Sequence, residues 1–169
     1  GTLGAKRHVT YFDSFSGLKY KQLASGLTAS MAAQMGSMRC VPVRFKPGQE
    51  LHQSLLDMVK SYNLKAAFVF TCVGSVTKAT LRMADSSSIV TFEGPFEIVS
   101  LEGTLSGGVG GHLHISLSDS KGKVIGGHVV GDLIVHTTAE VVVGECEGVR
   151  FEREHDKETG YDELVVYAK

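Results

Sequence analysis

A chain of 169 residues, 43% hydrophobic and 21% charged, is long enough to bury one core without disulfide or metal staples. Its net charge of −1 gives the chain as a whole no electrostatic signature of nucleic-acid binding. No apolar run reaches the roughly 18 residues that a membrane-spanning helix needs.

The first stretch, residues 1–37, sets Lys6, Arg7, Lys19 and Lys21 against a single acid, Asp13, in a background of Ser, Ala and Gly. Leu23, Leu27, Met31 and Met35 recur every four residues, a narrow apolar stripe if this extension is helical. It reads as a transit-like segment, a leader, or a helix packing on a partner subunit. The cysteines Cys40, Cys72 and Cys146 are far apart, odd in number and without a CxxC pair. They fit small apolar core thiols in a reducing compartment better than a secreted scaffold. The expected location is intracellular and cytoplasmic, or mitochondrial or plastid if residues 1–37 are a transit segment.

Residues 38–169 form the expected main domain. "MRCVPVRF" alternates as a first strand and "KPGQE" breaks it. Leu51, Leu55, Met58 and Val59 then fall at helical spacing, with Asn63 near the helix end and His52 solvated in its first turn. "KAAFVFTCVGSVTKATLRMAD" reads as a strand, a Gly74-Ser75 bend and a second strand; "SSIVTFEG" and "FEIVSLEGTLS" read as two more. "GHLHISLSD", "KVIGGHVVGD" and "TTAEVVVGECEG" follow as separate strands, and "ELVVYA" is expected to close the sheet. One helix among many short strands predicts an α+β domain built on an antiparallel sheet.

The hairpin after Gly110 carries the main chemical question. A three-residue loop, Ser120-Lys121-Gly122, sets Asp119 opposite Lys123 and gives Gly122 the left-handed position such loops favour. Counting back, His114 falls opposite His128, and His112 lies two residues along on the same face. A four-residue loop would send His128 to the other face. Three imidazoles with an open fourth position are a zinc-type ligand set; they are equally the polar face of an exposed strand, and spacing alone does not choose.

Other residues are weaker candidates. Asp132 and His136, four apart, read as an acid–base pair or as a surface loop. Glu97 and Glu102 have opposite parity on an unbroken strand; Glu97 is the candidate general base, or a partner to a ligating imidazole. Arg150, Arg153 and Asp156 belong to an alternating charge run expected to form surface or intersubunit ion pairs worth about 0–1 kcal/mol each. "GGVGG" at Gly107–Gly111 lacks dinucleotide-binding spacing.

"GPFEIVSLEGTLS…GGHLHISLSDSKGKVIGGHVVGDLIVHTTAEVVVGE", with the tail "FEREHDKETGYDEL", resembles the PPC domain (plants and prokaryotes conserved domain) over roughly residues 37–169. Gly94-Pro95-Phe96-Glu97-Ile98 is similar to the family's Gly-Arg-Phe-Glu-Ile box, with Pro95 in place of the arginine. The resemblance implies a mainly antiparallel sheet of seven or eight strands with one main helix, assembled as a homotrimer. Stand-alone members often carry a similar histidine trio that plant members largely replace. It therefore adds weight to a divalent metal, zinc by ligand type, at His112, His114 and His128. The plant members bind DNA through a separate Arg-Gly-Arg-Pro hook, which is missing here.

The expected function is that of a stand-alone PPC-domain protein, a trimeric binding or regulatory module with a three-histidine metal site. A zinc-dependent hydrolytic enzyme is the alternative, and a DNA-associated regulator like the plant relatives the third reading. The expected partners are further copies of the chain and a small molecule, with neither DNA nor a membrane.

Overall fold

A computed structural model of the chain describes Val9–Phe12, Lys19–Gln22 and residues 36–107 and 110–169. The chain divides into two compact units, residues 1–33 and 34–169. In the first, β1 (Val9–Phe12) and β2 (Lys19–Gln22) pair antiparallel, with Val9 opposite Gln22. The expected stripe from Leu23 to Met35, and the leader reading built on it, lie outside the described residues.

The second unit is mostly antiparallel sheet with one helix, as expected. β3 (Met38–Phe45) leads through a turn into α1 (Leu51–Ser61). The Glu50 carboxylate caps this helix, accepting from the backbone N–H of His52 at 3.3 Å, and its Oε1 also takes the Leu133 N–H at 2.9 Å. At the other end Asn63 adopts φ 55° and stops the helix in the left-handed conformation. Leu51, Leu55 and Val59 are fully buried, one side of the helix, while Met58 packs at the margin. Burying each such side chain contributes about 1.5–3 kcal/mol.

The remaining strands are fewer and longer than the sequence suggests. β4 (Ala67–Arg82) runs unbroken through Gly74, and β5 (Ile89–Ser106) runs unbroken through the cis Gly94–Pro95 peptide. β6 (Gly110–Ser118) is short, and β7 (Val124–Cys146) joins the two strands expected on either side of Asp132. Bends are absorbed within strands by shifts of register, not by loops. Gly74, at φ 143°, approaches β7 so closely that a Cβ would meet the Thr138 carbonyl oxygen.

The sheet order is β3-β7-β4-β5-β6, and β6 also pairs with β7, so β4, β5, β6 and β7 close into a circuit. Leu81, Leu101, Leu113, Leu117 and Leu133 fill it, continuous with the helix face. The tail does not close the sheet: β8 (Val149–His155) and β9 (Asp162–Ala168) pair only with each other. Seven strands thus make up the second unit.

Cys72 is buried, and desolvation pushes its thiol up to about 12, so it stays protonated and inert. Cys40 is exposed and departs from the expected core position.

Candidate metal centre

The β6–β7 turn sets the register of everything that follows. Asp119 N–H donates to the Lys123 carbonyl and Gly122 N–H to the Asp119 carbonyl, both at 3.0 Å. The Asp119 carboxylate accepts from the N–H groups of Lys121 and Lys123 at 2.8 and 2.9 Å. Gly122 takes φ 77°, open to glycine at little cost. This is the three-residue loop the sequence predicts, and it aligns His114 directly with His128.

Three strands meet at the histidines. His128 pairs with His114 on β6 and with Arg82 on β4, at the point where the circuit closes. The ring centroids of His112, His114 and His128 lie 4.9–5.4 Å apart. The Nε2 atoms of His112 and His114 are 3.1 Å apart, and one ligand atom from each ring falls within 4.8 Å of the others. Behind them Gly103, at φ 137°, lets β5 approach β6; a Cβ there would meet the His112 carbonyl oxygen.

Burial pushes His128 down to about 4, and the Arg82 guanidinium and the other two rings add to the effect. Burial, then His114 and Arg153, lowers His112 as well. Both rings are therefore neutral at pH 7 and offer lone pairs. Two nitrogens each about 2.0–2.1 Å from one tetrahedral ion stand about 3.3 Å apart. The His112–His114 separation is near that value, and the donor set fits a first-row divalent cation.

Neighbouring groups follow from the strand pairing. Glu102 stands opposite His114, and Thr104 opposite His112. Arg153, on β8, donates to the Thr104 hydroxyl at 2.8 Å and so reaches the same face. A bulge between Ile98 and Ser100 shifts the parity of β5, so Glu97, Glu102 and His114 share a face, against the expected opposition. Glu97 nonetheless pairs with Ser118, four residues along β6 from His114. That is about 13 Å at the rise of an extended strand.

Asp132 and His136 are not brought together as an acid–base pair. The Asp132 carboxylate accepts from the Thr80 hydroxyl at 2.9 Å and lies 3.4 Å from the Lys78 ammonium. In the charge run, Arg150 pairs with Glu152 at 2.6 Å, as expected of an exposed pair. Sequence reasoning missed the roles of Glu102, Thr104 and Arg153 beside the histidines, because a bulge and a tertiary contact leave no local signal.

The family model of the Plants and Prokaryotes Conserved (PCC) domain matches residues 32–147. Bifunctional protein GlmU of Synechococcus sp. (strain JA-3-3Ab) is 40% identical over 131 residues, covering 78% of this chain and 21% of that protein. AT-hook motif nuclear-localized protein 8 of Arabidopsis thaliana is 38% identical over 84 residues, 45% of this chain and 22% of that one. The chain thus spans about a fifth of the length of these curated relatives.

Among solved structures, a hypothetical protein from Salmonella cholerae-suis is 37% identical, with a TM-score of 0.78 over 80% of this chain and 98% of that one. The plant- and prokaryote-conserved (PPC) protein of Pyrococcus horikoshii is 26% identical, with a TM-score of 0.68 over 80% and 97%.

Proposed function

The chain belongs to the Plants and Prokaryotes Conserved domain family, and from that premise we propose that it is a self-associating binding or regulatory module with a three-histidine site for a divalent cation. His112, His114 and His128 hold the ion, and zinc is the cation their chemistry suits best. The observation that carries this reading is the direct pairing of His114 with His128, which gathers three imidazoles with one ligand atom each within 4.8 Å. The test is elemental analysis of the purified protein together with a zinc titration of its melting temperature. Protein that holds no metal and gains no stability from zinc overturns the site.

Self-association, as the homotrimer the family resemblance implies, is supported by an apolar face of the sheet that is exposed among the described residues. Pro42, Val142, Val73 and Phe70 face outward along β3, β7 and β4, with Phe70 60% and Val73 56% exposed. A shallow depression of about 460 Å³ runs between Pro42, Thr71, Val73 and Val142. Arg44 and Glu140 also line it, and exposed apolar side chains rimmed by charged ones are characteristic of an interface. Measured molecular mass in solution tests it, and a monomer at micromolar concentration overturns it.

Glu102, opposite His114, favours a hydrolytic enzyme as the second reading. A bound zinc lowers the pKa of its water to about 7; Glu102 is the carboxylate whose strand position suits it to take up a proton. No hydrolysis of model esters by metal-replete protein would leave the binding reading alone. The relatives include AT-hook nuclear proteins, yet this chain carries no Arg-Gly-Arg-Pro string, and its charge balance gives DNA no broad cationic surface.

A further inference from the structure

Where β5 ends, Ser106 stands opposite Gly110 of β6. Ser106 is 2% exposed, and its hydroxyl has no hydrogen-bond partner among the described residues. A buried hydroxyl left unpaired carries a desolvation cost that a bound acceptor would recover. Ser106 lines a depression of about 510 Å³, together with Gly107, Gly110, Lys65, Arg150 and Arg153.

The charges around the depression are unbalanced. Glu152 is its one acid, and Arg150 neutralises it at 2.6 Å while also donating to the Ala168 carbonyl and lying 4.4 Å from the Tyr167 ring centre. Lys65 and Arg153 have no carboxylate within ion-pair distance among the described residues. Arg153 spends one donor on Thr104, which orients its guanidinium and leaves others free. A hydroxyl, an ammonium and a fixed guanidinium beside Gly107 and Gly110 are the donor set that an oxyanion takes.

We propose that this depression binds the phosphate group of a small molecule. The surplus of two positive charges matches a phosphate-monoester dianion better than a single carboxylate. The pairs Ser106–Gly110, Thr104–His112 and Glu102–His114 follow one another on one face at two-residue steps of about 7 Å. A ligand held by its phosphate at Ser106 therefore extends toward the imidazoles, and Arg153 spans the interval. That extension rests on the metal reading; the phosphate site does not.

The test uses the full chain after chelation, so that failure of the metal site leaves it intact. Inorganic phosphate is titrated by calorimetry and by melting temperature, against sodium chloride at equal ionic strength and against acetate. Phosphate alone is expected to bind and to raise the melting temperature, in the wild type and equally in His114→Ala. Ser106→Ala, which only removes an unpartnered hydroxyl, is expected to fold at least as stably without ligand and to lose at least tenfold in phosphate affinity. Arg153→Gln is expected to lose as much. A phosphate response no greater than that of chloride, or unchanged affinity in both variants, overturns the site. Acetate binding as tight as phosphate overturns the assignment to a dianion.

Discussion

His114 on β6 stands directly opposite His128 on β7, with ring centroids 5.4 Å apart and His112 completing the triangle. A ligand set split over two strands depends on their alignment, and each ring contributes one donor. His114→Ala is therefore expected to abolish zinc-dependent stabilisation. At zinc concentrations 100-fold above its dissociation constant, the wild type gains about 2.7 kcal/mol, read as a rise in melting temperature. Glu97→Gln, four residues along from the site, is expected to keep that gain. An equal zinc response in His114→Ala and wild type would remove the centre.

The same alignment hangs on the turn. Asp119 accepts two backbone N–H groups through its carboxylate, and Gly122 sits at φ 77°. Gly122→Val places a β-branched residue in the left-handed region, costing about 1–2 kcal/mol. Zinc affinity is expected to fall along with stability, because the turn sets which face His128 occupies. The check is a chemical-denaturation curve beside a zinc titration; Gly122→Asn, better tolerated at positive φ, should restore most of both.

These two predictions also mark how far the sequence could be read. A three-residue loop ending in glycine announces its register locally, so the pairing of His114 with His128 was legible. Helix α1 was legible too, because Leu51, Leu55 and Val59 repeat at helical spacing and Asn63 stops them. The continuity of β4, β5 and β7 was not: Gly74, Pro95 and Asp132 look like breaks, yet each bend is carried inside a strand by shifted pairing or a local turn of the backbone. The bulge beside Val99 reversed the parity of Glu97 and Glu102, and a bulge leaves no mark on periodicity. Ser106 and Arg153 became neighbours of one depression only through the packing of β8 near β5, a contact between segments about 50 residues apart.

On the exposed sheet face, Val73 is 56% exposed, opposite Glu140 on β7. Val73→Lys is expected to leave the fold intact and to convert the assembled protein to monomer, because burying an ammonium in the interface costs a desolvation that Glu140, directly opposite on β7, does not fully offset. Light scattering and circular dichroism together read the outcome. A variant that stays assembled would mean that this face is not the interface.

Glu145 is 1% exposed yet charged. Its carboxylate accepts from Arg39 Nη2 at 2.6 Å, from the Lys65 N–H at 2.7 Å and from Lys169 Nζ at 3.3 Å, joining β7, β3, the approach to β4 and the last residue. Burial alone would raise its pKa; the bonds from Lys65, Arg39 and Lys169 together outweigh it and hold the group below the ordinary glutamate value. A carboxylate depressed in the folded state stabilises fully above its unfolded pKa of about 4.3, and that contribution is lost as pH falls through the folded value. Glu145→Gln keeps the volume and removes the charge. It is expected to cost about 1–3 kcal/mol at pH 7 and to flatten the acid limb of the stability curve. Because unfolded protein would then take up one proton fewer on acidification, the gap between variant and wild type should narrow as the pH drops below 4.3. A gap that stays constant from pH 7 to pH 3 would mean that the carboxylate's charge contributes nothing and that the cost lies in bonds or packing the neutral amide fails to reproduce.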